Sequence, residues 1–162
     1  MIDSEVQIGK HYLYPSSIFV SADPFVVTTV LGSCISVCLF DTKNMIGGIN
    51  HFMLPLWNGE GLASAKYGNV AMERLIEEMK RKGAKRENIK AKMFGGANLV
   101  NLTMNVGERN AELAKKILGT ERIELIAESI GGARGRKILF DTNTGVVKMR
   151  YIQQTHDLRH KI

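Results

Sequence analysis

The chain has 162 residues, 44% hydrophobic and 23% charged, the size and balance of a single domain with its own core. No apolar run of about 18 residues exists to cross a bilayer. Met1-Ile2-Asp3-Ser4-Glu5 lacks the basic and apolar regions of a signal peptide, so a cytoplasmic protein is expected. The net charge of +6 favours an acidic partner. Without a dense Lys/Arg cluster interleaved with aromatics, a nucleic-acid groove is disfavoured.

In chain order, an apolar stretch over 12–20 predicts a first strand, broken at Pro15. Ser21-Ala22-Asp23-Pro24 reads as a turn. Strands are then expected over 25–31 and 34–40, with Gly32-Ser33 as the break between them, and over 45–54, where Pro55 ends the run. The spacing of Met72, Leu75, Ile76 and Met79 predicts a helix over about 63–82, closed by Gly83. Residues 89–94 alternate as a strand, and a second helix is expected near 108–118 with Gly119 as its stop. A strand over 123–130 and a hairpin of 137–140 with 146–152 follow. About eight strands and two helices predict an α+β fold, with layered β-sheets and both helices on one side. One domain is expected over 1–162, with a polar tail, 153–162, expected to fray.

Two residues can carry chemistry. Cys34 follows the Leu31-Gly32-Ser33 turn, where backbone N–H groups left out of the ladder can hold an oxyanion. Gly32 and Ser33 are the backbone candidates, and such dipoles should ease ionisation of the thiol. Cys38 sits inside a plain apolar run and reads as core. Four strand residues separate the two cysteines by roughly 13 Å, at about 3.3 Å per residue, too far for a disulfide or for one metal. His51 alternates with Ile49 and Met53, so it lies on an apolar face and is either satisfied by a backbone partner or working as a base. Thr28, Thr29, Ser33 and Asn50 can each orient it, and adjacent Thr28 and Thr29 point to opposite faces. His11, His156 and His160 are less useful. Neither a metal nor a cofactor is expected, because Gly95-Gly96 and Gly131–Gly135 match no nucleotide fingerprint. The basic loop Arg134-Gly135-Arg136 is the candidate substrate contact.

Several blocks, in order, resemble one family, the CheD chemoreceptor glutamine deamidases. They are Leu-Gly-Ser-Cys at 31–34, Gly-Gly-Ile-Asn-His-Phe-Met-Leu-Pro at 47–55, Ala65-Lys66-Tyr67-Gly68, Ala-Lys-Met-Phe-Gly-Gly-Ala at 91–97, Val106-Gly107-Glu108-Arg109-Asn110, Ala127-Glu128, Gly131-Gly132 and Gly135-Arg136. The chain departs at Val30, where the family usually has glycine, and at Ser129, where it usually has aspartate. The resemblance implies Cys34 as nucleophile, His51 as base and Thr28 as third catalytic residue. It implies a fold similar to that of cysteine-dependent deamidases. It implies deamidation of glutamine side chains on the acidic cytoplasmic helices of methyl-accepting chemotaxis receptors, through a cysteine thioester. A CheC-type phosphatase is the implied second partner. The alternative is a chemotaxis adaptor that binds receptor or phosphatase without turnover.

Overall fold

The computed structural model describes residues 7–100 and 105–153. Nine strands and two α-helices are found among them: β1 (Gly9–Tyr12), β2 (Ser17–Ser21), β3 (Phe25–Leu31), β4 (Ile35–Asp41), β5 (Ile46–His51), α1 (Gly68–Arg81), β6 (Ile89–Gly95), α2 (Val106–Thr120), β7 (Glu124–Ile130), β8 (Arg136–Asp141) and β9 (Val147–Tyr151). The α+β expectation holds. The tail beyond 153, with His156 and His160, lies outside the described residues.

The strands form two sheets, one ordered β1-β3-β8-β9 and the other β2-β5-β4-β6-β7. Period-two alternation gives each buried strand two faces. Val27, Leu31, Ile138 and Phe140 of the first sheet meet Cys38, Ile49 and Phe94 of the second in one apolar layer. The opposite face of the second sheet carries Ile35, Val37, Leu39, Ala91 and Met93, packed against Met72, Leu75, Ile76 and Met79 of α1 and Ala111, Ala114 and Leu118 of α2. Both helices therefore cover one face of the five-stranded sheet, as the periodicity predicts.

Two boundaries differ from expectation. The stretch expected as one strand over 12–20 is two strands in different sheets: β1 pairs in parallel with β3, and β2 pairs antiparallel with β5. Pro15 lacks a ladder donor, and Ser16 follows with φ 67°, so the chain turns out of one sheet into the other. Helix α1 starts at Gly68 rather than near 63, because residues 53–67 are tied to the sheet edge: the Lys66 carbonyl accepts from the Met53 and Leu54 N–H groups, and Leu54 bridges to Tyr67.

Candidate active site

Cys34 lies just before β4, not inside it. Ile35 and Phe52 exchange both backbone hydrogen bonds, at 3.1 and 3.0 Å. Cys34 and His51 each precede a member of that pair, so in antiparallel geometry they are diagonal neighbours on the opposite face. Such neighbours sit roughly 7–8 Å apart at Cα, within reach of long side chains. Ile35 and Phe52 face the helices. Cys34 packs against the layer between the sheets, the face that His51 shares with Ile49. No hydrogen bond joins the Cys34 thiol to the His51 ring among the described residues, so the resting pair is open.

His51 is buried, and its Nδ1 is 2.7 Å from the Thr29 hydroxyl. That hydroxyl is also 2.7 Å from the Leu13 carbonyl oxygen. A carbonyl only accepts, and a threonine hydroxyl has one proton to give. Thr29 therefore donates to Leu13, and His51 donates its Nδ1–H to Thr29. The proton is fixed on Nδ1, and Nε2 keeps a free lone pair. Burial pushes the imidazole pKa down to about 4, so the ring is neutral at physiological pH. Burial also raises the Cys34 thiol, opposed by its own backbone N–H. The resting state is thus a neutral thiol beside a neutral imidazole, and the expected easier ionisation is corrected: desolvation outweighs the local dipole. Cys38 is buried, and desolvation raises its pKa, only partly offset by the charge of Lys92.

The third residue is also corrected. Thr28 does not face His51. It alternates with Thr29 on β3 and lies on the outer side of the four-stranded sheet, while its carbonyl accepts from the Leu13 N–H at 2.8 Å. Neither its hydroxyl nor its carbonyl touches the ring. Asn50 points to the helix side, where its side chain accepts from the Val37 N–H and approaches Met72 Sδ.

The loop around Cys34 is held from behind. The carbonyls of Gly32 and Cys34 accept from the Ala97 and Gly96 N–H groups at 3.0 and 2.9 Å. Among the described residues no oxygen takes the N–H of Ser33 or of Cys34; the Cys34 N–H approaches its own sulfur, and the Ser33 N–H has no acceptor there. Gly95 has φ +112°, and a Cβ there would collide with the Cys34 carbonyl oxygen, so only glycine permits this approach. Sequence reasoning missed Asn110. It is fully buried, and its Nδ2 donates to the Ser33 carbonyl at 3.1 Å and the Met53 carbonyl at 3.0 Å, tying the Cys34 loop to the segment after His51. The signal was present: Asn110, Ala114 and Leu118 recur every four residues on the buried stripe of α2.

Arg136 is not a substrate contact. Only 2% exposed, its guanidinium donates to the Gly95 carbonyl at 3.2 Å, the Gly131 carbonyl at 2.8 Å and the Ser129 hydroxyl at 3.1 Å. It braces the glycine that packs on Cys34. Arg134 is exposed, donates to the Ile152 carbonyl at 3.3 Å and lies over the Tyr151 ring.

A family model described as CheD chemotactic sensory transduction matches residues 53–151, a span that begins after His51. Similarity to whole proteins extends across the Cys34 region. A protein named probable chemoreceptor glutamine deamidase CheD, from Sulfurimonas denitrificans, is 49% identical over 93% of this chain and 99% of its own length. One of the same name from Trichlorobacter lovleyi is 52% identical over 86% of this chain and 89% of its own. Among solved structures, Bacillus licheniformis hypothetical protein YfiH matches with TM-score 0.43 at 14% identity, over 66% of this chain and 50% of that one. With half or more of its length matched by the family model and close to half of its residues shared with these relatives, the chain belongs to the CheD family.

Proposed function

We propose that this protein hydrolyses glutamine side-chain amides of chemotaxis receptors to glutamate, with Cys34 as nucleophile and His51 as general base. The observation that carries the reading is the buried His51, held by Thr29 with Nε2 free, on the same face as Cys34. The names of the family's members, as glutamine deamidases of chemoreceptors, supply the substrate class.

The neutral pair sets the order of events. As substrate seats, the thiol rotates towards Nε2 and gives up its proton. The thiolate attacks the amide carbon, and the Ser33 and Cys34 N–H groups receive the developing oxyanion. The imidazolium then protonates the leaving nitrogen. Ammonia departs, and a γ-glutamyl thioester remains. Nε2 next takes a proton from water, whose hydroxide attacks the thioester carbon. The thiolate leaves and recovers its proton from the ring. Amide and water have become acid and ammonia, and the protein is unchanged. Thr29 holds the ring through both steps, keeping the bond to Nδ1 as charge forms.

A cytoplasmic location and a CheC-type phosphatase partner belong to the same proposal through the resemblance. The test is intact-mass analysis of a receptor cytoplasmic fragment incubated with the protein. Each event adds about one mass unit, the net result of acyl transfer to water. The gain should vanish in Cys34→Ala and in His51→Ala. No gain with wild type, or a full gain with Cys34→Ala, overturns the reading and leaves the adaptor alternative.

A further inference from the structure

The outer face of the four-stranded sheet is not covered by any described element, since both helices pack on the other sheet. It forms a groove of about 760 Å³. Its floor is apolar, with Val26 and Val30 on β3 and Leu139 on β8, and Tyr12 stands beside it on β1. Tyr12 is 46% and Val30 40% exposed. Its charges are all positive: Lys10 on β1, Lys137 on β8 and Arg150 on β9. None of the three is in an ion pair among the described residues. Lys137 and Arg150 stand directly opposite each other across the β8–β9 ladder. Like charges in that position destabilise a sheet, a cost that an anionic ligand removes.

Because β1 and β9 are the edges of this sheet, Lys10 and Arg150 flank the apolar floor. Three strand spacings of about 4.8 Å part them by roughly 14 Å across the sheet, and the four residues from Val26 to Val30 part them along the strands, so they stand at diagonal corners of the floor, about 19–20 Å apart. An α-helix is about 10–12 Å across with its side chains. We propose that this groove docks an acidic amphipathic helix of the protein substrate, its apolar stripe on Val30 and Leu139 and its carboxylates on Lys10, Lys137 and Arg150. The apolar floor between the cations suits such a helix better than it suits a phosphate backbone. Val30 lies four residues before Cys34 in the same run, so chain length keeps that end of the groove within roughly 13 Å of Cys34 at Cα. The identity of the helix rests on the proposed function, whereas the docking itself does not.

The probe is a receptor cytoplasmic hairpin fragment titrated against Cys34→Ala protein at low and high salt. The Lys137→Glu/Arg150→Glu pair is compared with Lys80→Glu/Lys82→Glu on α1, which changes net charge equally. The groove pair should weaken binding tenfold or more and lose most of its salt dependence, while the α1 pair changes it less than twofold. In the active protein the groove pair should raise KM with kcat retained. Equal effects of the two pairs overturn the proposal. So does displacement of the fragment by single-stranded DNA or by phosphatidylserine vesicles at matched affinity, or binding that appears only after residues 1–6 are removed. If the fragment binds in the groove but gains no mass with active protein, the deamidase reading fails and the docking surface stands.

Discussion

Replacing Thr29 by valine tests the site at its least obvious point. Valine has nearly the same shape, so the packing between the sheets persists, but two buried groups lose their partner: the Leu13 carbonyl oxygen and the His51 Nδ1–H. Each orphaned buried polar group costs about 1–3 kcal/mol, so the variant should lose about 2–5 kcal/mol of stability. The ring also loses the bond that keeps its proton on Nδ1. Where a buried aspartate does that work in serine proteases, losing the correct tautomer costs about 10⁴ in kcat. A neutral hydroxyl is a weaker partner, and about 10² is expected here. Urea denaturation, ¹⁵N shifts of the His51 ring and kcat from intact mass read the three effects. Thr29→Ser should restore all three. Thr28→Val, whose hydroxyl lies on the outer face, should leave stability within about 0.5 kcal/mol and leave the ring shifts untouched. The tautomer argument is refuted if Thr29→Val keeps wild-type kcat and shifts, or if Thr28→Val moves the shifts instead.

Three further outcomes are expected. His51 has a folded pKa of about 4 against 6.5 for an unperturbed histidine; between those values the unfolded chain holds a proton that the folded chain lacks. Its contribution of about 3 kcal/mol is therefore full above pH 6.5 and is lost as pH falls towards 4. His51→Gln should flatten that part of the stability profile, and an unchanged slope would contradict the burial argument. Iodoacetamide should label Cys34 before the buried Cys38, at a rate still climbing above pH 9 because burial raises the thiol; a plateau near pH 7 would show a preformed thiolate. Arg136→Ala removes the donor to the Gly131 carbonyl and one of the two donors to the Gly95 carbonyl, which keeps the Gly131 N–H, and should cost about 1–3 kcal/mol, while Arg134→Ala, on the surface, should stay within about 0.5 kcal/mol; equal stabilities would show that the buried guanidinium holds nothing.

Local pattern by itself determined much of this protein. Period-two apolar runs marked β3, β4, β5 and β6, a 3.6-residue stripe marked α1 and α2, and a cysteine after Gly32-Ser33 with a histidine on an apolar strand marked the candidate pair Cys34 and His51. These signals reside in neighbours along the chain, which is why they are readable there. What the tertiary structure decided is which face each residue meets. Alternation puts Thr28 and Thr29 on opposite sides of β3, but only the second sheet, packed on one of those sides, makes Thr29 the partner of His51. Arg136 looks like a surface charge until β7, β8 and the Gly95 turn converge and their carbonyls surround it. Burial likewise reverses the expectation for the Cys34 thiol, because desolvation is a property of the surrounding layers. Asn110 joins the carbonyls of Ser33 and Met53, 77 and 57 residues away in sequence. Hydrogen bonds and burial of this kind depend on distance in space, and that distance exists only once the two sheets and the helices have closed on one another.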